Sequence, residues 1–258
     1  MAHTIYENFV LENKIEDLLL TAIDLNNYIT ADYSLTENPG MKKIINVYTA
    51  SGNVEDLEMG EGNTEEITVS FTPTEYEVGT TQGHFAYFDE QEMTDPMVVD
   101  VGLQGLAQKM TNDLTEKAIA EFGKATLALE GAWDFNHIVD AIAKLETEDE
   151  TGLFLLINPA QKATFRKNLG QDLKYAEDFA RTGYIGTVCG APVIVSKAVP
   201  ENTGYLATKE AVKVFIKKGI EIEQDRDPNV RKNDVYARKV MLVALADATK
   251  VVKLTGTV

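Results

Sequence analysis

The side chains most able to do chemistry are few and far apart in this sequence. The three histidines, His3, His84 and His137, show none of the spacings typical of metal ligands, so we expect surface or packing roles for them. The single cysteine, Cys189, excludes an internal disulfide framework, and its place in a predicted turn favours a buried small apolar residue over a nucleophile. The single tryptophan, Trp133, is expected to anchor a junction between domains.

Two groups of oxygen-bearing side chains could support catalysis or cation binding. The first is a carboxylate cluster that could supply the acid–base pair of a hydrolase, although an exposed loop is the simpler interpretation: Glu146, Glu148, Asp149 and Glu150. The second, Asp225, Asp227 and Asn229, could ligate a cation, but it lacks the glycine and the closing glutamate of a calcium loop. We therefore assign no site to either group.

Motifs for phosphate binding and for nucleophilic catalysis are missing from the sequence. It contains no glycine-rich loop that ends in Gly-Lys-Ser/Thr and no Gly-x-Ser-x-Gly elbow. With so little catalytic material, the sequence predicts a protein that is not an enzyme and has no catalytic residue, cofactor or metal.

Composition narrows the class of protein further. The length of 258 residues allows one large domain or two small ones, and the 44% of hydrophobic residues is enough to form a core. There is no apolar run of about 18 residues, so we expect no membrane helix, and the first ten residues lack the basic-then-apolar order of a secretion signal. The formal net charge of −17 repels phosphate, so any contact with DNA would be confinement without sequence-specific binding.

Charge is unevenly distributed along the chain. No lysine or arginine lies between Lys43 and Lys109, whereas that stretch holds thirteen carboxylates; basic residues are enriched after Lys209. Both regions could be solvated faces, or they could be patches that meet head to tail between neighbouring copies. The candidate contact residues are Arg226, Arg231, Lys232 and Arg238 on the basic side, and Glu55, Asp56, Glu58, Glu65 and Glu66 on the acidic side.

The first half of the chain predicts an arm, a hairpin and a long helix. Apolar residues recur at helical spacing within residues 1–45, and alternating residues over 44–93 predict a long two-stranded hairpin with too little apolar content to form its own core. A helix is predicted over 95–122, with Thr94 as N-cap and Gly123 as its stop. Its expected buried face contains Val99, Leu106, Met110 and Leu114.

The second half predicts a mixed α/β arrangement. A short helix is expected near 136–146, and the apolar run over 153–157 predicts a buried strand. Asn158 and Pro159 are typical of a helix start, and the helix should run to Leu169. Further strands are predicted at 193–195, 205–207, 212–216, 220–222 and within 235–254.

This order of elements resembles the major capsid proteins of tailed bacteriophages and the related encapsulin shells. Two local motifs support the resemblance: Leu155-Leu156-Ile157-Asn158-Pro159 and the turn and strand from Gly186 to Ser196. The resemblance implies an α+β capsid fold with an N-terminal arm, an extended E-loop hairpin, a spine helix, a P-domain and an α/β A-domain. The corresponding ranges are 1–45 for the arm, 46–93 for the E-loop, 94–124 for the spine helix, 125–208 mainly for the A-domain and 209–258 for a β-rich return through both domains.

The same resemblance implies a function and a set of partners. We expect a structural subunit that self-assembles through hexamers and pentamers into an icosahedral head around phage DNA, in the cytoplasm of a bacterial host. Because no scaffolding segment of about a hundred residues precedes the arm, we expect either that a separate protein scaffolds assembly or that this chain is a processed form. A portal and in some cases a cement protein are further expected partners. The alternatives are an encapsulin-type compartment shell and an acidic-residue hydrolase.

Overall fold

The computed structural model describes residues 28–37, 39–147, 152–172 and 186–256, with the backbone alone for 169–172. The predicted arm therefore lies largely outside the described residues. The strands of the described part are β1 Thr30–Asp32, β2 Lys42–Ser51, β3 Thr68–Glu77, β4 Gly79–Phe88, β5 Leu127–Gly131, β6 Leu153–Ile157, β7 Thr187–Val188, β8 Ala191–Val195, β9 Thr203–Thr208, β10 Val212–Asp227, β11 Lys232–Leu245 and β12 Val251–Gly256. The α-helices are α1 Asp89–Thr94, α2 Met97–Phe122, α3 Phe135–Lys144 and α4 Pro159–Asp172.

The hairpin is shorter than the sequence predicts. Strands β2 and β3 form a separate two-stranded sheet, from the pair Lys42 and Glu77 to the pair Ser51 and Thr68. The expectation of one hairpin over 44–93 is wrong in its second half, because β4 turns away and pairs with β11. The alternating pattern of β4 reflects a four-stranded sheet in which the order is β1, β10, β11, β4.

Helix α2 lies against this four-stranded sheet. Its predicted buried face is confirmed, since Val99, Leu106, Met110 and Leu114 are all buried. The predicted N-cap is wrong: Thr94 ends α1, where its hydroxyl donates to the Glu90 carbonyl (2.7 Å). Asp95 accepts a hydrogen bond from the Met97 amide instead (3.0 Å), which satisfies one of the unpaired amides of the first turn.

A six-stranded sheet forms the second layer of the molecule, in the order β5, β12, β9, β6, β8, β7. All five residues of β6 are buried, as its apolar run predicts. Asn158 caps α4 by accepting a hydrogen bond from the Ala160 amide (3.0 Å), which confirms the predicted helix start. The single 16-residue strand β10 replaces two predicted strands, because irregular pairing with β11 interrupts its alternation.

The core that joins the two sheets is built from aromatic residues at the end of α2. Phe122, Phe154 and Tyr205 pack there, with ring centroids about 6 Å apart. Trp133 was expected at such a junction, but it lies inside the core of the six-stranded sheet. That position depends on Gly204 and Gly256, which leave the space that the indole fills.

No helix in the described part of the chain is long and apolar enough to cross a membrane.

Candidate subunit-contact surfaces

The β2–β3 hairpin presents an apolar face to solvent. In its register Tyr48 lies opposite Phe71 and Ala50 opposite Val69, so these side chains share one face. The rings of Tyr48 and Phe71 are 6.0 Å apart, and Phe71 remains 61% exposed. Ile67, two residues before Val69 and next to the start of β3, is 53% exposed and continues this apolar stretch along the chain. We call these five residues, Tyr48, Ala50, Ile67, Val69 and Phe71, the apolar face of the hairpin.

Within the described residues, the rest of the chain supports only the base of the hairpin. Ile45 and Tyr76 lie on the opposite face from the apolar residues, and they pack against a core cluster that includes Phe215 and Leu242. The hydroxyl of Tyr76 also donates to the Leu245 carbonyl (3.3 Å). The outer part of the hairpin therefore projects from the fold with both faces exposed.

The tip of the hairpin, residues 52–67, is acidic and locally ordered. The Thr64 amide donates to Glu55 (2.8 Å), and its hydroxyl donates to the same carboxylate (2.5 Å). These hydrogen bonds lower the pKa of the Glu55 carboxyl, the hydroxyl contributing most. The other acidic residues of the tip make no ion pair with any described residue: Asp56, Glu58, Glu61, Glu65 and Glu66.

All four basic residues proposed as intersubunit contacts already have acidic partners within the same chain. The pairs are Arg226 with Asp89 (2.7 Å), Arg231 with Glu90 (3.0 Å), Lys232 with Asp234 (2.7 Å) and Arg238 with Glu221 (2.5 Å). The hydrogen bond to Asp234 raises the pKa of the Lys232 amine above its ordinary value, and the hydrogen bond to Glu221 does the same for the pKa of Arg238. These cations thus lie on β10, on β11 and in the turn between them, each paired with a carboxylate outside the acidic tip.

One of these pairs is a buried junction that the sequence did not reveal. Asp89 is 8% exposed, and its carboxylate accepts hydrogen bonds from Arg226 and from Asn233 (2.7 Å each). Its amide also donates to the Arg231 carbonyl (3.1 Å). This network fastens α1 to the β10–β11 turn. A negative residue in the first turn of a helix was the available signal, but it did not identify the partners.

The remaining chemical candidates occupy separate places. His84 stacks on Tyr236 (4.5 Å) and contacts Asp234 (2.6 Å), whereas His137 is buried in the first turn of α3, beside the ring of Trp133. Cys189 is half-buried in the β7–β8 turn, packed against the core of the six-stranded sheet. Its positive φ of 49°, followed by a positive φ at Gly190, is what a type I′ hairpin turn requires.

The two oxygen-rich groups do not form a site in the described residues. Of the carboxylate cluster only Glu146 is described, since 148–150 lie outside the described residues, as does His3. Asp227 accepts a hydrogen bond from the Asn229 amide (2.9 Å) within the β10–β11 turn. Across the described ranges, no group of three or more histidine, cysteine or carboxylate side chains is arranged to hold a metal ion.

Solved structures with a similar fold include two capsids and a virus-like particle. The capsid of a native GTA particle matches with a TM-score of 0.75 and 11% identity, over 100% of this chain and 93% of that one. The capsid of Ralstonia phage GP4 matches with 0.70 and 9%, over 90% and 88%. The virus-like particle from Pyrococcus furiosus matches with 0.68 and 13%, over 97% and 100%. Such low identities establish the fold alone.

Sequence comparison gives the family. The major capsid protein of Staphylococcus phage phiMR11 is 29% identical over 167 residues, which cover 62% of this chain and 60% of that protein's length. The family described as phage capsid protein matches residues 72–254, which run from within β3 to within β12 and include α2. On the strength of that match, the chain belongs to the phage capsid protein family.

Proposed function

We propose that this chain is the major capsid protein of a phage head, and that it self-assembles into a closed icosahedral shell. The observation that carries the proposal is the apolar face of the hairpin. Four large apolar side chains on one projecting ribbon are between 53% and 66% exposed, namely Tyr48, Ile67, Val69 and Phe71. A contiguous exposed apolar face of this kind is typical of a surface that binds another protein.

The energetics favour another subunit as the surface that covers this face. A two-stranded ribbon is marginally stable alone. Burial of one large apolar side chain contributes roughly 1.5–3 kcal/mol. Each copy that covers a neighbour's hairpin has its own hairpin covered by the next, so a head-to-tail contact repeats and closes into rings.

The elements then take the roles that the family resemblance implies. The β2–β3 hairpin acts as the E-loop, and α2 acts as the spine helix of a P-domain that includes the four-stranded sheet. The six-stranded sheet forms the A-domain. Subunits associate as hexamers and pentamers in the host cytoplasm, with a separate scaffolding protein, a portal and in some heads a cement protein. The head encloses DNA without sequence-specific contacts, consistent with the net charge of −17.

An encapsulin-type compartment is the second candidate, favoured by the similarity to the Pyrococcus furiosus virus-like particle. The two candidates differ in content, because a phage head holds DNA and a compartment shell holds a cargo protein. The phage head is preferred because the family match and the curated relative both concern phage capsid proteins. Of the carboxylates considered for the acidic-residue hydrolase, only Glu146 lies within the described residues, so no observation favours that function.

Expression of the chain with and without its scaffold tests the proposal. Sedimentation and negative-stain microscopy should show large closed shells, and shells from infected cells should contain nuclease-protected DNA. A stable monomer in both preparations would refute shell assembly. Shells filled with a single host enzyme and free of DNA would favour the compartment.

A further inference from the structure

The four cations first considered as partners of the acidic tip are compensated within their own chain. Arg226, Arg231, Lys232 and Arg238 each contact a carboxylate at 2.5–3.0 Å. A second carboxylate would have to compete with an existing ion pair, and exposed pairs are worth only about 0–1 kcal/mol. The tip of another copy should therefore prefer cations that have no acidic partner.

Helix α4 carries such cations on one exposed surface. Lys162 and Arg166 lie one turn apart, and Lys167 follows directly. Among the described residues none of the three makes an ion pair, and Pro159–Asn168 contains no acidic residue. Gln161 and Phe165 are buried, so the other side of the helix is the one that packs on the fold. We call Lys162, Arg166 and Lys167 the cationic face of α4.

Other basic positions in the described residues do not offer the same surface. Lys213 lies close enough to Asp32 and Glu210 to lower the pKa of both carboxyls. Lys109, Lys197 and Lys209 are exposed, but they lie on separate elements. The cationic face of α4 thus combines three positive charges, and the helix has no carboxylate from Pro159 to Asn168.

We propose that the cationic face of α4 receives the acidic hairpin tip of a second copy of this chain. The tip has six carboxylates and no basic residue, so its charge is complementary to that of the face. Ala163, between Lys162 and Arg166, is exposed and small, which leaves room for Leu57 or Met59 of the tip. This contact rests on the proposed shell assembly and names its second surface.

Charge reversal with rescue tests the contact. The triple variant Lys162→Glu, Arg166→Glu, Lys167→Glu should remain a folded monomer. At low salt, the subunit concentration that it needs to form shells should rise by about tenfold or more, the equivalent of roughly 1.4 kcal/mol per contact. Reversal of the tip through Asp56→Lys, Glu58→Lys and Glu65→Lys should restore assembly of the triple variant. The matched control, Lys109→Glu, Lys197→Glu and Lys209→Glu, changes the net charge equally and should assemble like the wild type.

Zero-length carbodiimide cross-linking in assembled shells gives a direct readout. Because no trypsin site lies between Lys43 and Lys109, the tip is released on one peptide, which should be joined to Lys162 or Lys167. Shells mixed from ¹⁴N and ¹⁵N subunits should show that the two peptides come from different copies. If the triple variant assembles like its control, or assembles normally and loses only DNA, the proposed contact is wrong. Neither result would contradict the proposed shell assembly. Absence of wild-type shells would instead refute the proposed function.

Discussion

Leu106 tests the packing of α2 against the four-stranded sheet. It is 6% exposed and lies so close to Gly83 of β4 that a methyl group there would overlap its side chain. Leu106→Asp should abolish soluble folded protein, because the new carboxylate would be buried without a partner at a cost of several kcal/mol. Circular dichroism and soluble yield measure the effect. The control is Gln108→Asp on the exposed side of the same helix, which should fold normally; equal behaviour of the two variants would contradict the packing.

Gly256 tests the space that holds Trp133. A Cβ at this position would lie 1.9 Å from the indole nitrogen, well inside contact distance. Gly256→Ala should therefore lower the free energy of unfolding by about 1–3 kcal/mol, since the core would have to shift. Gly219→Ala is the control, because nothing lies within 4 Å of its added Cβ. Urea titration compares the two, and equal midpoints would show that the indole can move without cost.

The pairing of β4 with β11 should weaken in acid. Hydrogen bonds from Lys232 and, next, from His84 lower the pKa of the Asp234 carboxyl below its ordinary value. Because the carboxyl has a lower pKa in the folded chain than in the unfolded chain, its stabilising effect is complete above the unfolded pKa, about 4. The effect is lost as the pH falls through the pKa of the folded chain. Asp234→Asn should therefore be less stable than the wild type at pH 7, with a gap that narrows below about pH 4. Urea midpoints across this range measure the gap, and a gap that stays constant would contradict the linkage.

The hairpin is also expected to form no covalent link to its neighbours. In some members of the capsid family a hairpin lysine joins an asparagine of another subunit, which requires a neutral amine nucleophile. The sequence indicated a hairpin without lysine, but β2 begins with Lys42 and Lys43. Lys42 pairs with Glu75 (2.5 Å), whose hydrogen bond raises the pKa of Lys42 and keeps the amine protonated. Lys43 donates to Ser34 (3.3 Å) and lies over the ring of Phe215.

Denaturing electrophoresis of mature particles tests this expectation. Boiled in detergent, the particles should release one band near 28.5 kDa, the mass of the monomer. Lys42→Arg and Lys43→Arg particles, which keep the charge and remove the nucleophile, should give the same pattern. A ladder of multimers that disappears in the arginine variants would show that a hairpin lysine reacts.

Local patterns in the sequence predict most elements but not their long-range partners. The helix of 26 residues over Met97–Phe122, the strand Leu153–Ile157 and the cap at Asn158 follow from periodicity and from short-range hydrogen bonding. Strand β4 alternates as well as β3 does, and the alternation cannot show that its partner is β11, about 150 residues away. The expected hairpin was therefore too long.

For the contact surfaces too, the sequence predicts local features but not long-range partners. The alternation of Ile67, Val69 and Phe71 predicts one shared face, and the composition predicts an acidic tip. The partner of Arg226 could not be predicted, because Asp89 is 137 residues away and is brought close only by the fold. Charges that look available in a sequence are often paired in the folded chain, so counts of basic residues overestimate the cations that a neighbour can use.

Assembly of the shell should depend on one face of the hairpin and not on the hairpin's own stability. Val69 and Phe71 are both more than 60% exposed, so Val69→Asp with Phe71→Asp should leave the monomer fold and its melting temperature close to those of the wild type. The same change should prevent shell formation, because two carboxylates would enter an apolar contact. Ser70→Asp with Thr72→Asp adds equal charge to the opposite face of the same strand and should still assemble. Sedimentation and microscopy compare the pairs, and shells from the Val69 and Phe71 variant in normal yield would show that this face is not the surface by which subunits join.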